Sequence, residues 1–370
     1  TWIPPAGKIT PEHLENFQKI IPKLIPSKSP NKKKNPKAVF ILAPPRSGTT
    51  LLRVMLAGHP DLFAVNELQL LGFNDLKERN QAYRGKFALW SEGLIRAIME
   101  LNNCSADESQ SLISKYEKQG WTTQEMFAEI QKSVAPKILV DKSPSYVLDY
   151  ASLEKAELDF EDPIYIHLVR HPYSMVNSFE KYHMDQVLYL NDHQFSARQL
   201  GEMVWLESHK NTAKFLENIP RNRHVRVIYE DLVTQPAKAL WEICQKIGVP
   251  FHDSVLRPYS DLDKKMTDGI YKDSRSMGDI NFDKQSKINS KKAEEWKGVL
   301  ADNFLCDETW SLTEYFGYPP LSAALPAADT LPEKEPKTPN SVESEIQFER
   351  FSEFQKIGKS DEAPQNNFPK

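Results

Sequence analysis

The segment that most constrains the fold of this chain spans residues 38–56. An apolar run at 38–43 leads directly into Pro-Pro-Arg-Ser-Gly-Thr-Thr, and the periodic sequence Leu-Leu-Arg-Val-Met-Leu follows at once. This order predicts a strand, a tight loop and the start of a helix. Free amides at a helix N-terminus, together with the helix dipole, favour an anion at that point. The segment therefore predicts a phosphate-binding loop, with these ligands: Arg46, Ser47, Gly48, Thr49 and Thr50.

This loop differs from the Walker A motif at two positions. The motif requires Gly at position 43 and Lys at position 49, whereas this chain has Ala43 and Thr49. The lysine that usually contacts the β- and γ-phosphates is therefore missing, and Arg46 is the cation within the loop. We expect Arg46 to contact a 5′-phosphate and the group beyond it.

Three further apolar runs, at 138–140, 164–169 and 225–229, are short and lack sustained alternation, as is typical of buried parallel strands. Helical segments separate them; one opens at Pro236 and closes at Gly248. Strands that alternate with helices in this way indicate an α/β protein. We predict a P-loop-like, doubly wound parallel sheet flanked by helices.

The two ends of the chain differ in composition from its middle. Residues 1–36 contain a predicted helix at 10–21, capped by Thr10, and then a lysine-rich linker. Residues 37–320 form one predicted domain. Residues 321–370 are rich in Pro, Glu, Lys, Ser and Asn, which predicts a disordered or extended linker. Because the chain begins without Met or a secretion signal, we expect it to be a piece of a longer protein.

Composition excludes several classes of function. The three cysteines are widely separated, which argues against a disulfide framework or a cysteine zinc site and favours a cytoplasmic setting. No apolar run approaches the roughly 18 residues that a membrane span needs. A net charge of -4 gives no general attraction to nucleic acid.

A second cationic site follows the predicted strand at 164–169. Arg170 comes directly after this strand, Pro172 is placed to start a helix, and Ser178 lies about two turns into that helix. A guanidinium at the carboxyl end of a strand can bind a phosphate in fork geometry, and the Ser178 hydroxyl can donate to the same group. We therefore predict a second phosphate site at Arg170 and Ser178, apart from the first.

Residues 45–50 and 170–178 resemble the 5′-phosphosulfate loop and the 3′-phosphate element of sulfotransferases that use 3′-phosphoadenosine-5′-phosphosulfate (PAPS). Residues 45–67, 141–144 and 229–232 are similar to the protein-tyrosine sulfotransferases and their bacterial relatives, so the resemblance covers roughly residues 37–317. It implies the sulfotransferase fold, PAPS as donor, 3′-phosphoadenosine-5′-phosphate (PAP) as product, and no metal. It also implies that Tyr229 lies near the adenine.

The acceptor is implied by a finer resemblance. The secreted tyrosine enzymes carry Cys and an acidic residue where this chain has Ala64 and Asn66. Residues 277–282, followed by Trp296, instead resemble sulfotransferase domains embedded in polyketide synthases. That resemblance implies an acyl carrier protein and neighbouring megasynthase domains as partners. The acceptor would be the β-hydroxyl of a carrier-linked 3-hydroxyacyl chain, whose sulfonation prepares decarboxylative release as a terminal alkene.

Sulfonate transfer needs a base for the acceptor proton and a cation at the leaving oxygen. Glu67 follows the short apolar stretch 62–65, so we expect it at a strand end beside Arg46, and it matches the catalytic glutamate of the family. Lys142 ends another strand and matches the lysine that meets the leaving oxygen. His183 and His193 lie in a polar, aromatic stretch that could form a flap, which leaves His183 as an alternative base.

Other interpretations are compatible with the same residues. Asp141 ends an apolar strand as a Walker B magnesium ligand does, which suits a P-loop kinase that uses ATP and magnesium. A catalytically silent nucleotide-binding scaffold is a third possibility. The acceptor could also be a free alcohol, a phenol or a peptide. Met277, Gly278 and Asp279 could form a loop that closes over the nucleotide.

Overall fold

A computed structural model describes residues 7–27, 33–271 and 282–319. Its strands are β1 (Val39–Leu42), β2 (Leu62–Asn66), β3 (Ile138–Lys142), β4 (Ile164–Val169) and β5 (His224–Ile228). Its α-helices are α1 (Pro11–Ile20), α2 (Thr49–Ala57), α3 (Leu76–Ala82), α4 (Glu92–Asn102), α5 (Ala106–Lys118), α6 (Thr123–Val134), α7 (Tyr150–Asp159), α8 (Pro172–Lys181), α9 (Met184–Val187), α10 (Ala197–Glu217), α11 (Tyr229–Thr234), α12 (Pro236–Ile247) and α13 (Asp307–Tyr315). Its 3₁₀ segments are Gly85–Ser91, Tyr146–Leu148, Arg221–Arg223, Asp253–Leu256, Leu262–Lys265, Phe282–Lys284 and Ser290–Asp302.

The five strands form one parallel sheet in the order β2-β3-β1-β4-β5. Val39 on β1 pairs with Val140 on β3 and with Ile164 on β4, so β1 is the central strand. Because β1 and the loop after it lie in the middle of the sheet, helices must connect the strands across both faces. The predicted doubly wound α/β fold is confirmed.

Side chains of β1 alternate between two cores. Phe40 packs on one face among Phe127, Phe160 and Tyr165, with ring centroids between 5.2 and 6.3 Å apart. Val39 and Ile41, together with α2 and α12, belong to the core on the opposite face. Since both faces of the sheet are covered around β1, the central strands are mostly apolar on both faces, which explains the absence of sustained alternation in their sequences.

Helices α1 and α12 begin and end, respectively, at the capping residues that the sequence predicts. The Thr10 side chain accepts a hydrogen bond from the His13 amide and caps α1, and Gly248 ends α12 with a φ of 85°. Several predicted boundaries differ from the structure by one or two residues; for example, β5 ends at Ile228, and Tyr229 opens α11 instead of ending the strand. The predicted linker at 321–370 and the predicted closing loop at 277–279 lie outside the described residues. Within the described residues, no helix combines the length and the apolarity that crossing a membrane requires.

Candidate active site

The residues singled out in the sequence meet along one edge of the sheet. In a parallel sheet the carboxyl ends of all strands lie at the same edge, with neighbouring strands about 4.8 Å apart. Each of the five strands ends at one of the predicted site elements. Taken in spatial order from β2 to β5, these are Glu67, Lys142, the loop 44–48, Arg170 and Tyr229.

The central loop has the features of an anion site. Gly48 precedes α2 with a φ of 87° and provides no side-chain cap, so the first amides of the helix are open to a ligand. Ser47 is fully buried, and its hydroxyl has no hydrogen-bond partner among the described residues. A Cβ at Gly48 would lie 2.3 Å from the Tyr229 ring. Glycine is therefore required by both the left-handed backbone and the close approach of Tyr229.

Arg46 joins the two predicted phosphate elements. Its Nε donates to the Ser178 hydroxyl over 3.0 Å, and its guanidinium lies 4.3 Å from the centre of the Tyr182 ring. Its backbone has a φ of 66°, which is unusual for a residue with a side chain and is typical of functional loops. The sequence predicted two separate phosphate sites, but in the structure Arg46 from the first site directly contacts Ser178 from the second.

Arg170 lies between the loop and the end of β5. Its Nη1 donates to the Arg46 carbonyl over 2.8 Å, and its Nη2 donates to the Glu295 carboxylate over 3.2 Å. The guanidinium also stacks over the Tyr229 ring at 4.6 Å. The third donor, Nε, is buried and has no partner among the described residues. Arg170 therefore has a donor to offer to an additional anion.

Glu67 and Lys142 form a buried ion pair at the opposite end of the edge. Lys142 Nζ donates to Glu67 Oε1, and Gln69 Nε2 donates to Glu67 Oε2 over 3.4 Å. The Lys142 side chain is only 1% exposed. Burial lowers the pKa of the Lys142 ammonium, and the Glu67 carboxylate opposes that shift. The structure thus pairs the predicted base with the predicted leaving-group cation.

Asp141, next to Lys142 in the chain, accepts hydrogen bonds from residues around the Glu67–Lys142 ion pair. Its carboxylate accepts hydrogen bonds from the Tyr146 hydroxyl (2.7 Å), the Ser143 hydroxyl (3.0 Å) and the Leu68 amide (3.3 Å). Burial raises the pKa of Asp141 to about 6, while these hydrogen bonds lower it. Because protein donors already bind both carboxylate oxygens, the Walker B interpretation of Asp141 loses its support. Within the described residues, no group of three or more His, Cys, Asp or Glu side chains could hold a metal ion.

Two buried arginines that sequence reasoning missed hold the backbone around Glu67. Arg79 Nε donates to the carbonyls of Leu68 and Gln69, each over 3.1 Å. Arg53 Nη1 donates to the Lys265 carbonyl over 2.5 Å and to the Ala64 carbonyl over 3.4 Å. Burial lowers the pKa of each guanidinium to about 10. Arginine within the otherwise apolar run 51–56 was the signal in the sequence that could have identified Arg53.

The two histidines of the predicted flap have different surroundings. His183 is exposed and precedes α9, five residues after Ser178. His193 is half-buried and stacks on Phe195, with ring centroids 5.8 Å apart. Glu67 is buried beside Lys142, whereas His183 faces solvent, so the structure pairs only Glu67 with the second predicted catalytic group.

Comparison with known proteins gives one matching family and several similar structures. The sequence pattern of the sulfotransferase family matches residues 36–253. The sulfotransferase domain of the Synechococcus PCC 7002 olefin synthase is 36% identical with a TM-score of 0.71, and the match covers 80% of this chain and 99% of that domain. The sulfotransferase domain from the curacin biosynthetic pathway is 37% identical with a TM-score of 0.70, and the match covers 78% of this chain and 100% of that domain.

A more distant similarity is to the protein-tyrosine sulfotransferase of Drosophila melanogaster. The two sequences are 22% identical over 297 residues, which is 77% of this chain and 52% of the fly protein. This chain therefore spans about half the length of the curated relative that it matches.

Proposed function

Because this chain belongs to the sulfotransferase family, we propose that it transfers the sulfonate of PAPS to a hydroxyl group. The observation that carries this proposal is the order of side chains along the sheet edge. Cation and aromatic partners for a nucleotide lie at β4, β5 and the central loop, and a carboxylate–ammonium pair lies at β2 and β3. A donor laid along this edge would present its transferable group to Glu67 and Lys142.

The residues at the edge fit a nucleotide with two separate phosphates. Tyr229 would contact the adenine, and Arg170 with Ser178 would bind the 3′-phosphate. Arg46, Ser47, Gly48, Thr49 and Thr50 would bind the 5′-phosphosulfate. The fit is supported by two buried donors without a partner among the described residues, the Ser47 hydroxyl and Arg170 Nε, because buried donors in native proteins are normally satisfied.

PAPS, when bound, supplies the sulfonate, which passes to the acceptor oxygen as the bond between sulfur and the phosphate oxygen breaks. Glu67 accepts the proton of the attacking hydroxyl. As Glu67 takes up this proton, the Lys142 ammonium beside it neutralises the charge that develops on the departing phosphate oxygen, and Arg46 adds a second cation. Since Glu67 and Lys142 are buried, water screens these charges poorly, which strengthens their effect on the transition state.

For the acceptor, we propose the β-hydroxyl of a 3-hydroxyacyl chain on an acyl carrier protein. The support is the likeness to two domains whose names place them in an olefin synthase and in the curacin pathway. The chain would then work in the cytoplasm beside other megasynthase domains, and sulfonation would prepare decarboxylative release of a terminal alkene. A free alcohol or phenol is the competing acceptor.

Mass spectrometry tests donor and acceptor together. The protein is incubated with PAPS and either a carrier protein bearing a 3-hydroxyacyl chain, a carrier protein bearing the matching 3-deoxy chain, or free alcohols and phenols. We expect one sulfonate on the 3-hydroxyacyl carrier and none on the deoxy control. Sulfonation of free alcohols alone would contradict the proposed acceptor. Phosphorylation of any acceptor by ATP with magnesium, without sulfonation by PAPS, would contradict the proposed function.

A further inference from the structure

The contact between Arg170 and Glu295 joins two parts of the chain that lie 125 residues apart. Glu295 belongs to the 3₁₀ segment Ser290–Asp302. Its carboxylate lies 3.2 Å from Arg170 Nη2. A negative charge of the protein thus lies on the guanidinium to which the proposed function assigns the 3′-phosphate.

The Glu295 carboxylate accepts a hydrogen bond from only one of the two Arg170 nitrogens that could donate to it. The Nε and Nη2 atoms of an arginine form one edge that can bind a phosphate or carboxylate through two parallel hydrogen bonds. Glu295 takes only Nη2, and Nε on the same edge is buried without a partner among the described residues. A phosphate that replaced Glu295 could use both donors. Of the two anions, Glu295 therefore binds this edge of Arg170 more weakly than a phosphate would.

Arg170 does not depend on Glu295 for its orientation. Nη1 on the other side of the guanidinium donates to the Arg46 carbonyl over 2.8 Å, and the planar group lies over the Tyr229 ring. These two contacts fix the position and the plane of the guanidinium. Removing the Glu295 carboxylate leaves both of them in place.

The Glu295 side chain is free to exchange while its backbone stays anchored. The next residue, Trp296, is buried and stacks on His171, with ring centroids 4.2 Å apart and planes within 9°. The Glu295 side chain is 52% exposed, whereas that of Arg170 is 9% exposed. A change of side-chain rotamer can therefore move the carboxylate into solvent without opening the segment.

We infer that Glu295 is an exchangeable counter-ion for Arg170, which occupies the 3′-phosphate position in the empty enzyme and is displaced when the donor binds. The inference rests on the proposed function, because it takes Arg170 as the 3′-phosphate ligand. Two consequences follow. Glu295 lowers the affinity for nucleotides that carry a 3′-phosphate, and its return to Arg170 favours release of the product PAP.

Calorimetric titration of PAP and of adenosine 5′-phosphate into three proteins tests the inference. The proteins are the wild type, Glu295→Gln and Glu294→Gln. Glu294 is the matched control, since it is the neighbouring acid, is 65% exposed and pairs with Lys297 rather than with Arg170. Glu295→Gln should bind PAP about three- to tenfold more tightly than the wild type, which is the range expected for losing a half-exposed ion pair.

The controls separate this effect from a general change in charge. Glu294→Gln should bind PAP as the wild type does, and no variant should change the affinity for adenosine 5′-phosphate by more than about twofold, because that nucleotide lacks the group that competes with Glu295. Equal PAP affinity in the two variants, or weaker binding by Glu295→Gln, would overturn the inference while leaving the proposed function intact. If the wild type binds no PAP, the proposed function fails, and the inference fails with it.

Discussion

The two ends of the sheet edge are built in opposite ways. At β2 and β3, Glu67 and Lys142 are buried and bind each other, and buried arginines hold the carbonyls on either side. At β4 and β5, Arg170 binds a backbone carbonyl, an aromatic ring and a half-exposed carboxylate. Glu67 and Lys142 hold each other in place without a ligand, whereas Arg170 makes a contact with Glu295 that a ligand can replace.

This difference corresponds to the two tasks of a group-transfer enzyme. A catalytic pair has its largest effect on rate when its charges are fixed in a water-poor setting before the reaction. A nucleotide site must also release its product, so its partners need an alternative when the nucleotide leaves. The two ends can be tested separately by substitutions at Glu67, Lys142 and Arg170, and the loop between them by substitutions at glycine.

The largest effect is expected at the buried end. Glu67→Gln keeps the size of the side chain but removes the base, so turnover of the acceptor should fall by about 10²–10⁴-fold. PAP affinity should stay within about twofold, because Arg170 lies three strands from Glu67, or roughly 14 Å. Steady-state sulfonation and calorimetry measure the two quantities. Near-normal turnover would show that Glu67 is not the base and would leave His183 as the candidate base.

The next effect concerns stability. Lys142→Met leaves the Glu67 carboxylate buried without its partner, which should lower the free energy of unfolding by about 3–5 kcal/mol. The double variant Lys142→Met with Glu67→Gln removes both charges and should recover most of this loss, but not the activity. Urea denaturation of the two variants and the wild type gives the comparison. Equal losses in the single and the double variant would show that the pair is not coupled.

At the nucleotide end, Arg170→Ala removes charge-assisted hydrogen bonds worth roughly 1.5–3 kcal/mol, so PAP should bind about 10- to 150-fold more weakly. Adenosine 5′-phosphate serves as the internal control, and its affinity should change less than that of PAP, because only PAP carries the 3′-phosphate. Calorimetry with both nucleotides measures the difference. PAP binding within twofold of the wild type would show that the 3′-phosphate site lies elsewhere.

The smallest effect is expected in the loop between the two ends. Gly48→Ala and Gly85→Ala both place a Cβ on a left-handed residue, at a cost of roughly 1–2 kcal/mol each. The added Cβ meets the Tyr229 ring at Gly48, but nothing lies within 4 Å of it at Gly85. Thermal melts should therefore show a larger loss for Gly48→Ala, and only that variant should bind PAP more weakly. Equal behaviour of the two variants would mean that the contact between Gly48 and Tyr229 has no role.

The sequence predicted the features that depend on local patterns. The apolar runs, the loop with Gly48 and the cap at Thr10 are each encoded within a few residues, and the structure has them. The resemblance to the sulfotransferases, including those of polyketide synthases, is confirmed by the family match and by the two similar domains. The roles predicted for Glu67, Lys142 and Arg170 follow from strand ends, and they stay predictions until tested.

Features that depend on distant partners could not be predicted in this way. Arg53 binds the Lys265 carbonyl across 212 residues, and Arg170 meets Glu295 across 125 residues. The local sequence can mark Arg53 as an unusual residue in an apolar run, but it does not indicate which carbonyl Arg53 binds, and no local pattern predicts that Glu295 contacts Arg170. The direct contact of Arg46 with Ser178 was also missed, because it depends on how closely the ends of β1 and β4 approach each other.

A crystal structure with PAP tests the central claim most directly, because the claim concerns the order of groups along the sheet edge. We predict density for the adenine at Tyr229, for the 3′-phosphate at Arg170 and Ser178, and for the 5′-phosphate at residues 46–50, with Glu295 displaced from Arg170. Density for PAP away from this edge, or with its two phosphates in the reverse order, would contradict the account.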